Sequence, residues 1–173
     1  MTFLESHNIR LRALEPEDLE LLYLWENDSS FWIAGNTRAP YSKFQLREYI
    51  SQSKNDIYSD GSLRLMMQDK NTGNVVGTVD LFDFDLHHGR VALGLFVSKE
   101  FQGKGYASQS LKLVEDYVFN FLRINQLYVQ IAESNQASRK LFEKDYELHG
   151  FLKNWIKTPD GFENIMTYQK FRP

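Results

Sequence analysis

Apolar and polar positions alternate with two different periods along the chain. Ile9, Leu11 and Ala13 alternate with Arg10 and Arg12, which predicts a short half-buried strand. Pro16-Glu17-Asp18 predicts a helix start, because proline suits a first turn and carboxylates suit the positive end of the helix dipole. Leu19, Leu22, Tyr23 and Glu26 share one face of that helix. Residues 27–41 read as a loop rich in aromatic and small residues. A second helix is expected from Ser42 to about Ser53, with Phe44, Leu46 and Tyr49-Ile50 available for burial. The period then drops to two. Leu63, Leu65 and Met67 alternate, Asn71-Thr72-Gly73-Asn74 supplies turn chemistry, and residues 75–84 make the next strand. His87-His88-Gly89 is a second turn, and Val91, Leu93, Leu95 and Val97 then alternate with Ala92, Gly94 and Phe96. This predicts an antiparallel meander of three strands. Ala107, Leu111, Val114, Val118 and Phe121 recur at steps of four and three, the pattern of a helix with one buried face. Leu127, Val129 and Ile131 form a further strand, and a short helix runs from Asn135 to about Lys144. Two last strands cover 147–156 and 163–171, joined through Thr158-Pro159-Asp160-Gly161. The expected order is β-α-α-β-β-β-α-β-α-β-β. It describes an α+β fold with a mixed, mostly antiparallel sheet and helices on both faces.

Composition narrows the function. No repeat, low-complexity stretch or linker divides the chain, so residues 1–173 are expected to form one domain. A formal net charge of -3 argues against a surface built to coat nucleic acid. The absence of cysteine removes disulfides, thiolate metal sites and a cysteine nucleophile together, and no metal is expected. The start, Met1-Thr2-Phe3-Leu4-Glu5-Ser6-His7, lacks the basic-then-apolar pattern of a signal peptide. No apolar run approaches the roughly 20 residues of a membrane span. A cytoplasmic protein with no nucleic-acid or membrane partner is the expectation.

The chemistry concentrates at Gln102-Gly103-Lys104-Gly105-Tyr106-Ala107, where a strand hands over to the long helix. The first amides of a helix lack intrahelical partners and carry the positive end of its dipole. Small residues there let a phosphate approach the backbone, and Lys104 adds charge, so the loop suits an anion. A glycine-rich turn that merely starts a helix has the same composition. The Walker pattern is absent, and the preceding meander does not fit the parallel unit of a dinucleotide fingerprint.

Phe96-Val97 followed by Phe101 to Ala107 resembles the acyl-CoA signature Q/R-x-x-G-x-G/A of the GNAT superfamily of N-acetyltransferases. Asn135-Gln136-Ala137-Ser138-Arg139-Lys140-Leu141-Phe142 is similar to that family's N-x-x-A/S-x-x-L-Y/F helix, and the spacing between the two motifs also matches. Leu11-Arg12 to Asp18 resembles the usual opening, L-R-x-x-x-x-x-D, so the likeness spans nearly the whole chain. Residues 76–83 and the region from Trp25 to Tyr41 resemble the branch of ribosomal-protein N-terminal and spermidine acetyltransferases.

The resemblance implies a GNAT-like domain that transfers an acetyl group from acetyl-CoA to a primary amine, on a protein N-terminus or a small molecule such as a polyamine. Gln102, Gly103, Lys104, Gly105, Tyr106 and Ala107 would hold the pyrophosphate. Phe96 and Val97 would hydrogen-bond the pantetheine arm and thioester carbonyl, stabilising the developing oxyanion. Asn135 and Ser138 would contact the far part of the arm, although Asn135 is also a good helix N-cap. Two positions depart from the family pattern. Phe142 stands where a tyrosine often serves as general acid, and Leu93 stands where relatives often carry a glutamate base. Phe142 keeps a place beside the sulfur as a binding or core aromatic; Tyr128, Tyr146 or water would supply the proton. Asp80, Asp83, Asp85 and His87 are the nearest candidates for the base, and Asp83 is the one chosen, with Tyr128 beside it in the catalytic set. Trp25, Phe31, Trp32 and Tyr41 would cap the acceptor site or form a hydrophobic cluster within the loop. Arg38 in the acid-free segment Ala34 to Pro40 argues against a polyamine, whereas Glu26 and Asp28 argue for one. Asp145-Tyr146 replaces the family's Gly-Phe after the short helix. The departures leave open an acyl-CoA-binding regulatory protein with little or no catalysis. An edge strand in the C-terminal half is a surface on which a homodimer could form.

Overall fold

The computed structural model describes residues 3–35 and 37–173. Met1-Thr2 of the chain start and Asn36 of the acid-free segment lie outside the described residues. The elements are β1 (Ile9–Ala13), α1 (Leu19–Glu26), α2 (Trp32–Gly35), α3 (Lys43–Gln52), α4 (Ile57–Asp60), β2 (Leu63–Asp69), β3 (Val75–Asp85), β4 (Arg90–Val97), α5 (Tyr106–Asp116), β5 (Gln126–Ala132), α6 (Gln136–Phe142), β6 (Glu147–Thr158) and β7 (Gly161–Phe171). The strands form one seven-stranded sheet in the order β1-β2-β3-β4-β5-β7-β6. Every neighbouring pair is antiparallel except β4 and β5, which run parallel.

The period-two pattern becomes two cores. Leu63, Leu65 and Met67 of β2, Val79 and Leu81 of β3, Val91 and Leu93 of β4, and Leu127, Val129 and Ile131 of β5 pack against Leu111 and Val114 of α5 and Phe142 of α6. On the opposite face, Met66 meets Leu14, Leu22 of α1 and Leu46 of α3. Strand β2, next to the edge strand β1, is thus covered on both sides, which is why Leu65-Met66-Met67 is a continuous apolar run. Each such fully buried side chain contributes about 1.5–3 kcal/mol relative to exposure.

Asp18, 2% exposed, receives both guanidinium arms of Arg12 at 2.8 Å and the Glu15 amide at 2.9 Å. The Arg12 and Asp18 of the opening motif therefore clamp β1 to the start of α1. The pair raises the Arg12 pKa through the Asp18 hydrogen bonds.

Three stretches depart from the periodic reading. The loop at 27–41 contains a 3-10 turn at Ser29–Phe31 and the single turn α2. In α3 only Leu46 is buried, while Phe44 and Tyr49 are exposed. After Asp116 the long helix widens into a π-helical turn at Tyr117–Phe121, closed by Leu122 N donating to Tyr117 O at 2.9 Å. The wider turn rotates Phe121 out of the 3.6-residue register and into solvent.

Candidate active site

The parallel pairing of β4 and β5 stops almost as soon as it begins. Arg90, Val91 and Ala92 pair with Gln126, Leu127 and Tyr128, and then the strands part. β4 continues to Val97 bonded to β3, and β5 continues to Ala132 bonded to β7. The parting opens a cleft of about 1490 Å³. The Ser98 amide donates to Val76 O at 2.9 Å, so alternation along an antiparallel pair turns the backbone groups of Phe96 and Gly94 toward β3. Those of Leu95 and Val97 turn into the gap, where Val97 O already accepts from Gln102 Nε2 at 3.0 Å. The Phe96 side chain lies on the face of α1, with its ring 5.2 Å from Trp25 and 4.9 Å from Phe31. Gly77 holds β4 close on its other side, since a Cβ there would fall 2.0 Å from Phe96 O.

At the α5 end of the cleft, Gly103 and Gly105 adopt φ of 75° and 82°. Gly105 is the N-cap of α5, so no side chain caps the first amides of the helix. Gln102, Gly103, Gly105, Tyr106 and Ala107 line the cleft. Lys104 does not; it is exposed, with Nζ 5.2 Å above the Phe101 ring. Tyr106 Oη donates to Asp69 Oδ2 at 2.5 Å, and Asp69 also accepts the amides of Asn71 and Thr72. These bonds lower the Asp69 pKa and raise that of the phenol, and they pin the first turn of α5 to the β2–β3 turn. Uncapped amides on a fixed helix start are suited to a phosphate.

Asn135, Ser138, Leu141 and Phe142 line the same cleft from α6. Asn135 Oδ1 accepts the Ser138 amide at 3.1 Å, so it caps α6. Phe142 is buried, and its ring meets Tyr146 edge-on at 5.0 Å. Tyr146 does not line the cleft. Its hydroxyl faces Glu115 without a well-formed hydrogen bond, and burial followed by that charge raises its pKa strongly. The amides of Asp145 and Tyr146 both donate to Phe142 O, closing the turn after α6.

The wall on the α1 face carries the titratable groups. Asp83 has φ of 49° at a register break between Phe82 and Asp85, which turns it out of the regular strand alternation. Asp83 and Tyr128 both line the cleft and also a smaller polar hollow of about 470 Å³. Burial and then the Asp83 charge raise the Tyr128 pKa, so the phenol keeps its proton. Asp85 is engaged by His88 and Arg90. Leu93, 4% exposed, packs into the α5 core, and Gly94 is the residue opposite Asp80. Asp80 is bonded to Arg64 Nε at 2.5 Å, and Arg64 Nη1 reaches Glu26 at 2.6 Å. Trp25, Phe31 and Trp32 also line the cleft, with Trp32 Nε1 donating to Glu26 O at 2.9 Å. Tyr41 does not; its backbone closes the loop base through two bonds to Asn27. Lys99 fastens this loop to Asp28 at 3.0 Å, and Ser30 and Lys99 together hold the Asp28 pKa down to about 2.

Sequence reasoning singled out neither Arg64 nor Gly77. The visible signal for Arg64 was a charged residue between the buried Leu63 and Leu65. For Gly77 there was none, because its need arises from the approach of another strand. Among the described residues, no group of three or more His, Asp or Glu is placed to hold a metal ion, and no helix is long and apolar enough to cross a membrane.

Residues 8–144 match the family model for the acetyltransferase (GNAT) domain. The chain is 28% identical over 142 residues to spermidine N(1)-acetyltransferase of Escherichia coli K12, covering 80% of this chain and 72% of that one. It is 29% identical over 164 residues to the Bacillus subtilis protein named "Putative ribosomal N-acetyltransferase YdaF", covering 90% and 84%. The crystal structure of Vibrio cholerae spermidine N-acetyltransferase in complex with CoA and spermine superposes with a TM-score of 0.86 at 22% identity, covering 96% of this chain and 97% of that one.

Proposed function

The chain belongs to the GNAT acetyltransferase family, acetyl-CoA-dependent enzymes that acetylate an amine, and we propose on that premise that its acceptor is a primary amine entering from the α1 face and meeting Asp83 and Tyr128. What supports this is the parting of β4 from β5 after Ala92 and Tyr128, which joins the α5 start and the α1 face through a single cleft.

Acetyl-CoA supplies the activated acetyl group as a thioester. The residues present fit it: the uncapped amides at Gly105–Ala107 suit the pyrophosphate, with Gln102 and Gly103 completing the loop. The backbone groups of Leu95 and Val97, rather than those of Phe96, face the gap and would bond the pantetheine arm. Asn135 and Ser138 would flank that arm, and Phe142 would pack near the sulfur without donating a proton. An alkylamine with a pKa near 10.4 must lose a proton before it attacks. Asp83, turned out of the strand into the cleft, takes that proton directly or through water. Tyr128, kept protonated by burial, provides a proton for the departing thiolate and recovers one from the nitrogen as the amide forms. Trp25, Phe31 and Trp32 form the apolar side of the acceptor entrance. We take residues 1–173 as one such domain, cytoplasmic in location, and the exposed edge strand β6 as the surface on which copies would associate.

Thiol release from acetyl-CoA, screened against N-terminal peptides, monoamines and polyamines, tests the assignment. Amine-dependent release is expected, and absence of acetyl-CoA binding by calorimetry would refute it. A polyamine acceptor is the second reading, favoured by the likeness to the spermidine N(1)-acetyltransferase of Escherichia coli. A CoA-binding protein without turnover is the third. It draws on Phe142 and Leu93, and rapid release with any amine would remove it.

A further inference from the structure

Arg64 is a half-buried charged residue inside a strand that carries buried side chains on both faces. Its neighbours Leu63 and Leu65 enter the α5 core, so its own side chain goes to the α1 face. There Nε meets Asp80 Oδ1 at 2.5 Å and Nη1 meets Glu26 Oε1 at 2.6 Å, with the Tyr49 ring 5.7 Å from the guanidinium carbon. All three charged groups line the cleft and keep about a quarter of their side-chain surface exposed, 23% for Arg64, 25% for Glu26 and 27% for Asp80. The other cations lining the cleft are Lys140 and Lys144, at the α6 end. Opposite Asp80 stands Gly94, which puts no side chain over the carboxylate. Burial opposes the Arg64 charge, but the contacts with Asp80 and then Glu26 outweigh it and raise the pKa, so the charge is permanent.

We propose that Arg64 sets the charge of the acceptor: by occupying Glu26 and Asp80 it leaves Asp83 as the uncommitted carboxylate of the acceptor wall, and so it selects amines with one positive charge over polyamines. This rests on the α1 face being the acceptor side. Without the guanidinium, α1 and β3 would present two adjacent carboxylates to the cleft, the arrangement a chain of ammonium groups requires. With it, the same three groups carry one net negative charge instead of two, both carboxylates are occupied, and a second ammonium meets an adjacent like charge.

The test is calorimetric binding of spermine and of hexylamine to the full chain with CoA bound. Arg64→Gln is expected to bind spermine at least tenfold more tightly than the parent, a gain of about 1.4 kcal/mol, while hexylamine changes less than twofold. The gain should shrink in 0.5 M salt, because these groups are partly exposed. Arg64→Lys keeps the charge and should keep the parental preference. Glu26→Gln combined with Arg64→Gln uncovers one carboxylate instead of two and should gain about threefold; this milder variant carries the test if Arg64→Gln does not fold. Unchanged spermine affinity in a variant with parental CoA affinity overturns the proposal, as does Arg64→Lys behaving like Arg64→Gln. Because binding is read without turnover, a failure here is distinct from an absence of amine-dependent thiol release.

Discussion

Alanine at Gly103, paired with alanine at Gly73, separates backbone strain from ligand binding. The two glycines have nearly the same φ, 75° and 76°, and at neither would a Cβ meet any atom within 4 Å. Each substitution therefore pushes an L-residue into the left-handed region without a clash, at a cost of about 1–2 kcal/mol. For a domain of this size each kcal/mol lowers the melting temperature by about 2–4 °C, so both variants should melt about 2–8 °C lower. Only Gly103 lines the cleft. If the loop binds pyrophosphate through its amides, disturbing it costs one hydrogen bond to a charged group, about 1.5–3 kcal/mol. CoA affinity should then fall about 10- to 100-fold in Gly103→Ala and stay parental in Gly73→Ala. Differential scanning fluorimetry reads the first quantity and titration calorimetry with CoA the second. Parental CoA affinity in a Gly103→Ala protein that shows the expected loss of stability would refute the pyrophosphate assignment. Equal affinity losses in both variants would refute the claim that the effect is local.

Asp83→Asn should lower turnover at least 100-fold with CoA affinity unchanged; parental turnover in that variant rules Asp83 out as the base. Gly77→Ala places a Cβ 2.0 Å from Phe96 O, and because the obstacle is backbone, β3 and β4 must separate; a loss of about 3 kcal/mol or more in urea unfolding is expected, and a loss below 1 kcal/mol contradicts the close approach. The Asp28 carboxyl, held down to about 2, stays ionised through mild acid. Its folded-state pKa is depressed, so its contribution is present above the unfolded value near 3.9 and lost as pH falls through about 2. Tryptophan emission from Trp32 in the same loop and from Trp25 at the end of α1 should be flat between pH 7 and 4, with an acid step near pH 2 that Asp28→Asn removes. A step near pH 5 that depends on Asp28 would count against the clamp.

Much of the α5 and α6 side of the cleft was legible because it is built from backbone. A glycine at a helix start changes where amides point, and local sequence states this directly, so Gln102 to Ala107 and the Asn135 cap could be read without a fold. Lys104 is the exception within that loop: its charge was read as a ligand contact, while the structure lays the side chain over Phe101. The α1 face of the cleft was less legible because it is assembled from distant strands. Tyr41 belonged by composition to the aromatic group at the entrance, yet its backbone bonds to Asn27 place it at the loop base.

The chain by itself determined the order of the elements, the two buried faces and the anion-suited helix start, since each depends on periodicity or on the conformational freedom of a few residues. Tertiary structure decided how these meet. The one-residue offset between Phe96 and its neighbours follows from the β3–β4 register, which a hydrogen bond between Ser98 and Val76 establishes. The emergence of Asp83 follows from a break in that register, and the neutralisation of Asp80 by Arg64 joins residues 16 positions apart. Periodicity assigns a side chain to a face; it carries no record of which neighbour the face meets, and the charge of the cleft wall depends on that neighbour.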